Sequence, residues 1–242
     1  VPFWQEKIKV YSHEISTIVE SLIDISRKDW NSQEISWDFK VLPVCSLSKN
    51  INLFDSFREF SRYCNESVNL FRNLEEKNNQ LFLEVYEIDN GKVEVPEEQI
   101  TLLSNPLFRY GTSESNATNR FCSDSFSELV SYIVGCMMGR YSIDKPGLIL
   151  ASQGETLQDY LNQIPNPRFM PDSDAILPLT DQEWFADDVT NRVREFVKVV
   201  WGEETLQENL AFTGELWLGH LRYGTHGTNE IESCHPMLRQ SN

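Results

Sequence analysis

Apolar side chains recur every three or four positions in two long stretches before Asn90. The first stretch covers about residues 3–27, and the second covers about residues 53–87, where the apolar set begins at Phe54 and ends at Val85. This spacing places the apolar side chains on one face of an α-helix. Basic and acidic side chains are mixed on the other face of the second stretch, which is typical of a solvated surface. The pattern therefore predicts two long amphipathic helices.

The pattern beyond Asn90 is shorter and less regular. Residues 105–119 are rich in Ser, Thr and Asn, and they are predicted to form a loop. A helix is predicted over 126–140, with Ser123 or Asp124 as its N-terminal cap.

The third quarter of the chain combines a short apolar run with several prolines. The run at 148–150 (LIL) predicts a short strand, and the prolines that follow predict an extended connector. Further helices are predicted over 181–200, capped by Asp181, and over 204–212. The expected fold class is mainly α, a helical, bundle-like segment with a few short strands.

The helical period ends at about residue 213. Glycines and histidines become frequent there, and 216–218 (LWL) resembles a strand. We therefore expect two parts, a helical region over 1–212 and an incomplete, β-containing tail over 213–242. The tail lacks the strands that would complete a core, so it is expected to be poorly ordered or weakly packed.

The charge restricts the partners of the chain. It carries 37 acidic and 21 basic side chains, for a formal net charge of −16. Such a surface repels phosphate backbones and anionic lipids beyond a Debye length of about 8 Å. Contact with nucleic acid must then come from a local basic patch, or from another part of the protein.

Two further features concern the compartment. No apolar run approaches the ~18 residues that a membrane-spanning helix needs, so no membrane partner is expected. The five cysteines are scattered without a Cys-x-x-Cys pair. Reduced thiols in a cytoplasmic protein are therefore expected.

Several kinds of catalytic site are missing from the sequence. The chain before Gly111 has a single glycine, Gly91, and no glycine-rich phosphate or AdoMet loop occurs. The spacing of His220, His226, Cys234 and His235 matches no common zinc finger. No catalytic residue and no metal site is therefore assigned.

Two sets of residues have both a chemical and a structural interpretation. The stretch 105–108 (NPLF) resembles the Asn-Pro-Pro-aromatic signature of amino-methyltransferases, but Leu107 replaces the second proline, so a loop entry is favoured. Glu183, Asp187 and Asp188 could bind a metal or act as acid and base. Their position at a predicted helix start favours interaction with the helix dipole instead.

Two Arg-Tyr pairs are the candidate nucleic-acid-facing residues. Arg109 with Tyr110, and Arg140 with Tyr141, each join a guanidinium to an aromatic ring. Such pairs can contact phosphates and stack on bases. Ordinary packing is the alternative interpretation, and it is favoured because such pairs are common.

Several long stretches, in the same order, carry a resemblance to a known family. They are 29–30 (DW), 36–39 (SWDF), 74–79 (LEEKNN), 131–142 (SYIVGCMMGRYS), 144–151 (DKPGLILA), 153–156 (QGET) and 183–185 (EWF). On these stretches, residues 1 to about 212 resemble a segment of the PglX-type adenine-specific DNA methyltransferases of BREX phage-defence systems.

The resemblance implies a fragment of a site-specific DNA adenine-N6 methyltransferase. Enzymes of this kind flip an adenine and methylate its amino nitrogen. Catalysis in the family lies in an upstream domain, so no catalytic residue is carried over to this chain. The implied cofactor is S-adenosyl-L-methionine, held by the intact protein and not by this segment. The implied partners are DNA, through the intact protein, and other phage-defence proteins.

Two alternatives remain open. One is a non-enzymatic helical interaction module that contacts partner subunits through an exposed aromatic face. The other arises from 219–227 (GHLRYGTHG) and 233–236 (SCHP), which resemble class II glutamine amidotransferases. That resemblance implies that Arg222 pairs with a glutamine carboxylate and that Thr225 and His226 line the pocket. No counterpart of the N-terminal cysteine nucleophile is identified, so amidotransferase activity is not expected.

Overall fold

The computed structural model describes residues 5–46, 52–111, 114–180 and 184–209. Within these ranges the chain is mainly helical and has no β-strand, which confirms the mainly α fold class. The helices of these ranges include α1 (Gln5–Asn31), α2 (Pro43–Ser46), α3 (Leu53–Tyr86), α4 (Pro106–Tyr110), α5 (Glu114–Met137), α6 (Leu157–Gln163) and α7 (Val189–Trp201). The helices α1 and α3 confirm the two long helices predicted from the apolar pattern.

The described residues divide into two compact units. The first draws on Val1–Asp38 and Glu59–Phe121, and the second on Phe39–Arg58 and the chain from Cys122 onward. The long helices α3 and α5 each contribute residues to both units.

In the first unit, side chains from α1 and α3 pack with the segment around residues 95–102. Val68 and Phe71 of α3 are buried together with Ile100 and Leu102. The carboxylate of Asp29, near the end of α1, accepts hydrogen bonds from the amides of Leu103 (2.6 Å) and Ser104 (2.9 Å). This carboxylate therefore holds the 102–104 turn against α1.

The polar residues of 74–79 also have a structural role in the first unit. The carboxylate of Glu76 accepts the Val95 amide hydrogen at 3.1 Å. The side-chain amide of Asn79 donates to the Val93 carbonyl at 3.3 Å. Since residues 92–95 have no strand partner in the described part of the chain, these side chains of α3 satisfy backbone groups that would otherwise need water.

The second unit has a larger core, which is rich in aromatic residues. Tyr132, Ile133 and Met137 of α5 are fully buried with Phe196 and Val197 of α7. Phe57 of α3 stacks on Phe126 of α5 with ring centroids 4.1 Å apart. The Trp201 indole donates to the Ser56 hydroxyl at 2.8 Å, so its polar atom is satisfied inside the core.

Glycine determines how α5 ends. Gly139 adopts the left-handed region at φ +73°, and its amide donates to the Cys136 carbonyl at 3.1 Å. The next amide, of Arg140, donates to the Gly135 carbonyl at 2.8 Å. These two bonds form a Schellman motif, which terminates the helix and turns the chain back.

The strand predicted over 148–150 is wrong. Ile149 is buried as the apolar run suggests, but its amide donates to the Arg140 carbonyl at 2.9 Å. The Leu150 amide donates to the Gly139 carbonyl at 3.2 Å. The run therefore pairs with the turn that ends α5, where no extended partner strand is available.

The loop predicted over 105–119 is also wrong, as is a cap at Ser123 or Asp124. Helix α4 lies in this region, and α5 already begins at Glu114. Ala117 and Phe121 are buried, and Phe121 stacks on Phe60 with centroids 5.9 Å apart. Tertiary packing has therefore overridden the low helix propensity of the Ser and Asn residues.

The last long helix starts later than predicted. Asp181 lies outside the described residues, and α7 is capped by Asp188. The Val189 amide donates to the Pro178 carbonyl at 2.9 Å, which fixes the chain at this start. Residues 206–209 are helical, within the helix predicted over 204–212, whereas α6 was not predicted.

Asp188 satisfies several donors at once. Its fully buried carboxylate accepts hydrogen bonds from the Thr180 hydroxyl (2.7 Å), the Thr180 amide (2.9 Å) and the Thr190 amide (3.0 Å). Burial acts to raise the pKa of Asp188, but these hydrogen bonds hold the pKa below its usual range. The charged form is therefore part of the folded structure.

We expect Gly135→Ala to destabilise the second unit although alanine favours helices. The new Cβ would lie 2.6 Å from Cδ2 of Tyr141, whose buried ring packs on Phe39 and Tyr132 and cannot move away. Overpacking of this kind costs about 1–3 kcal/mol, against about 1 kcal/mol gained in helix propensity. Urea denaturation of the purified chain measures the change. In a Tyr141→Leu background, Gly135→Ala should no longer lower the free energy of unfolding. An equal loss of stability in both backgrounds would contradict the contact between residue 135 and the Tyr141 ring.

We expect Asp188→Asn to lower the free energy of unfolding by about 1–3 kcal/mol at neutral pH, because the carboxylate is a buried helix cap. The folded pKa of Asp188 is lowered, so its contribution is fully present above about pH 5 and is lost as the pH falls through the folded pKa. The difference between wild type and variant should therefore shrink in acid. Asp187→Asn is the matched control, with an expected change within about 0.5 kcal/mol. Equal effects of the two variants would contradict the role of Asp188.

Candidate functional site

Arg109 and Tyr110 lie in the last turn of α4, which ends at Gly111 in the left-handed region. The Arg109 guanidinium carbon is 5.5 Å from the centroid of the Tyr110 ring, and that of Arg120 is 5.0 Å from it. Arg120 is an exposed residue of α5 and is not among the residues predicted from the sequence. The sequence places Arg120 directly after a predicted loop over 105–119, so its approach to the Tyr110 ring could not be predicted. The structure thus brings two cations to one aromatic ring.

Asn105 is a structural cap and has no free polar atom for catalysis. The side chain is fully buried, and its amide donates to the carbonyls of Glu97 (2.7 Å) and Ile100 (3.0 Å). Its oxygen accepts the Leu107 amide hydrogen at 3.1 Å, at the start of α4. The structural interpretation of 105–108 therefore fits the geometry.

Arg140 and Tyr141 have different surroundings from each other. Arg140 is exposed, with its guanidinium carbon 5.8 Å from the Tyr141 ring centroid. Tyr141 is 3% exposed and stacks on Tyr132 with centroids 5.3 Å apart. The expectation that Tyr141 faces nucleic acid is corrected here, because the core encloses the ring that would have to stack. Arg109 and Tyr110 belong to the first unit, and Arg140 and Tyr141 to the second.

A cleft of about 260 Å³ opens beside the loop that follows α5 in the second unit. The described residues that line it are Val41, Cys45, Ser46, Ser142, Ile143, Asp144, Pro146, Arg168 and Val200. They come from well-separated parts of the chain, so sequence reasoning did not find the cleft. Within the sequence, the only feature that pointed to this region was the stretch of family resemblance over 144–151.

An ion pair orders one wall of this cleft. The Arg168 Nε donates to the Asp144 carboxylate at 2.5 Å, and the Arg168 backbone amide donates to its other oxygen at 2.8 Å. A second guanidinium nitrogen donates to the Ile143 carbonyl at 3.0 Å.

The Cys45 thiol also lines the cleft. Burial, and to a lesser extent the nearby Cys136, raises the pKa of this thiol well above its usual value. The cleft therefore contains polar and charged groups but no thiolate nucleophile.

The acidic candidates do not form a metal site in the described residues. Asp188 is committed to the cap of α7, and Glu183 lies outside the described residues. The described part of the chain contains no group of three or more His, Cys, Asp or Glu residues placed to hold a metal ion.

The candidate glutamine-binding residues Arg222, Thr225 and His226 lie outside the described residues, as does the whole region 213–242. In the described part, no disulfide bond joins Cys45, Cys64, Cys122 and Cys136 to one another. None of the helices in that part is both long and apolar enough to cross a membrane.

Comparison with known proteins gives two relatives, while no protein-family model matches. The chain is 43% identical over 213 residues to "Adenine-specific methyltransferase BrxX" of Escherichia coli O9:H4 (strain HS), which covers 85% of this chain and 17% of that protein. It is 29% identical over 238 residues to "Adenine-specific methyltransferase PglX" of Lacticaseibacillus casei (strain Zhang), which covers 96% of this chain and 18% of that protein. The chain therefore spans less than a fifth of the length of these curated relatives.

The second match also bears on the tail. Because it covers 96% of the chain, it extends beyond residue 212, into the region that resembles an amidotransferase. Neither relative is named as an amidotransferase, so the comparisons do not show that resemblance. The resemblance predicted for the rest of the chain is confirmed: the chain is homologous to a segment of the adenine-specific methyltransferases BrxX and PglX.

Proposed function

We propose that this chain is a segment of a site-specific DNA methyltransferase that transfers a methyl group from S-adenosyl-L-methionine to the amino nitrogen of adenine, in defence against phage. The observation that carries the proposal is the 43% identity to an adenine-specific methyltransferase over 213 residues. DNA is the proposed substrate of the intact protein, and the cytoplasm is its proposed compartment. The absence of a disulfide bond among the described cysteines is compatible with a reducing compartment.

The role we propose for the segment itself is structural support, with catalysis and cofactor binding elsewhere in the intact protein. Polar residues that could be mistaken for catalytic groups are engaged in hydrogen bonds to backbone: Asp29, Glu76, Asn105 and Asp188. The stretches that carry the resemblance, 74–79 and 131–151, supply packing and turn contacts in their own units. Such a framework can hold functional parts in fixed positions.

Within this framework, Arg109, Tyr110 and Arg120 are a proposed contact with nucleic acid, and Arg140 is another. Guanidinium groups beside an aromatic ring can pair with phosphates while the ring stacks. Arg120 and Arg140 are exposed, which such a contact requires. Tyr141 is left out because of its burial.

A second candidate function, a helical interaction module, is favoured by exposed apolar side chains in the first unit. Trp37 is 99% exposed, Ile35 is 73% exposed and Trp30 is 49% exposed, all within eight successive positions. The turn that carries Trp37 is ordered by the Ser36 hydroxyl, which donates to the Asn31 side chain at 2.7 Å. A tryptophan displayed on an ordered turn loses little entropy on binding, as is typical of interface hot spots.

The proposed enzyme function is tested with the intact protein, unmethylated DNA and S-adenosyl-L-methionine. We expect N6-methyladenine to appear at one recurring sequence, detected by sequencing of the product DNA, and to be absent when the cofactor is omitted. The segment alone should give no methylation and no heat of cofactor binding in calorimetry. Absence of methyladenine with the intact protein would contradict the enzyme function. Tight cofactor binding by the segment would contradict its structural role.

The module is tested with Trp37→Ala in the intact protein, mixed with the other proteins of its defence system in the absence of DNA. If the module binds one of them through this turn, the substitution should weaken binding by about thirtyfold or more, which corresponds to loss of a hot spot. Trp184→Ala is the matched control, since Trp184 is also exposed, at 72%, but lies in the second unit. Binding that is unchanged by Trp37→Ala, or absent from the wild type, would contradict this candidate function.

A further inference from the structure

Helix α1 has one apolar stripe that packs within the first unit. The stripe consists of Tyr11, Ile15, Ile18, Leu22 and Ile25, at alternating steps of four and three residues. Ile18 is buried, and Leu22 and Ile25 pack against the cluster that contains Val68 and Phe71 of α3. An alternation of four and three residues keeps one side of a helix turned toward its neighbour. This inner stripe therefore faces α3.

A second set of α1 residues follows the same steps one position later. They are Ser12, Ser16, Val19, Ile23, Ser26 and Trp30, and we call them the outer seam. Val19 is 38% exposed, Ile23 is 50% exposed and Trp30 is 49% exposed, and the three serines are exposed as well. One position corresponds to about 100° around a helix, so the outer seam lies beside the inner stripe and not behind it.

The outer seam contains no charged side chain, although the chain as a whole has a formal net charge of −16. Charged residues of α1 such as Glu20, Asp24 and Lys28 lie off this line, and Asp24 pairs with Lys28 at 2.7 Å. A helix face that meets water usually carries charged residues. Apolar side chains and serines along one line are typical of a face that packs against another element. The outer seam therefore has the composition of a packing surface.

The spacing of the outer seam fits an α-helix as its partner. Alternating steps of four and three residues give the period of about 3.5 residues by which one helix keeps contact with a second helix along its length. The serines of the seam are short enough to let a partner helix approach closely, while Val19, Ile23 and Trp30 can insert between its side chains. Two such faces side by side are typical of a helix in a bundle, which contacts two neighbours.

We propose that an amphipathic α-helix from another part of the intact polypeptide covers the outer seam, an inference that rests on the supporting role in the proposed function. A segment that holds other parts in place must pack against them. The matched regions cover only 17% and 18% of the curated relatives, so most of the polypeptide that could supply this helix lies outside the segment. Residues 213–242 lack the apolar period of a helix and are not the expected source. A second copy of the protein and a separate protein are the competing occupants.

The test places a photo-crosslinking residue on the outer seam of the intact protein. Val19, Ile23 and Trp30 are replaced one at a time by p-benzoylphenylalanine, which under near-ultraviolet light forms a bond to C–H groups that it contacts, and mass spectrometry identifies the joined peptides. Lys28→p-benzoylphenylalanine is the matched control, because Lys28 lies on the charged side of the same helix with 64% of its side chain exposed. The three seam positions should all link to one stretch of the same polypeptide outside residues 1–242, and the control should not. Retained methylation of DNA shows that each variant is folded.

The separation of the linked residues identifies the kind of partner. Val19 and Trp30 are eleven positions apart, which corresponds to about 16 Å along α1. Their links should therefore fall about eleven residues apart on a partner helix, whereas an extended partner would place them about five residues apart.

Several results would overturn the proposal. They are links with the extended separation, links within residues 1–242, links to another protein of the defence system, links between two copies, and the absence of any link that the control lacks. A mixture of isotopically light and heavy protein separates links within one polypeptide from links between copies. If the wild type methylates DNA, each of these results leaves the proposed function standing. If the wild type does not methylate DNA, the proposed function itself fails, whatever the links show.

Discussion

The second unit depends on the contact between the ring of Tyr141 and the backbone of Gly135. A side chain at residue 135 would occupy the space of that ring, with its Cβ 2.6 Å from Cδ2. The Schellman motif at Gly139 returns the chain onto α5, so that Tyr141 can stack on Tyr132 and the Tyr132 hydroxyl can donate to the Ser142 carbonyl at 3.4 Å. The loop 140–149 is thereby ordered. The cleft depends on this order, because residues of that loop line one side of it.

Polar side chains in the described part serve mainly to complete backbone hydrogen bonding. Asp29 holds a turn, Asn105 caps α4, and Asp188 caps α7 while also binding Thr180. In each case the side chain replaces a partner that the backbone lacks at a helix end or a turn. This use of polar groups agrees with the proposal that the segment is a structural support and that catalysis takes place elsewhere in the intact protein.

The sequence predicted the elements whose apolar period is long. Helices α1 and α3 each carry one apolar stripe, so their existence followed from spacing alone, although α1 continues to Asn31, beyond its predicted end at about residue 27. The start of α5 could not be predicted in this way, because Ala117 is buried and Phe121 stacks on Phe60, which is distant in sequence. The same holds for 148–150, where an apolar run pairs with a helix end instead of a strand.

The candidate site shows the same division between local and long-range information. The sequence singled out Arg109, Tyr110 and Arg140, but it could not bring Arg120 to the Tyr110 ring or enclose Tyr141 in the core. Nor could it bring Arg168 to Asp144 beside one cleft, since that requires the loop to be folded.

The central claim is that this segment supports a DNA adenine methyltransferase without binding its cofactor. Hydrogen–deuterium exchange of the intact protein tests it most directly, with and without S-adenosyl-L-methionine. The account predicts that the cofactor slows exchange outside this segment and leaves exchange in the described residues unchanged. Cofactor-dependent protection within the described residues would contradict it.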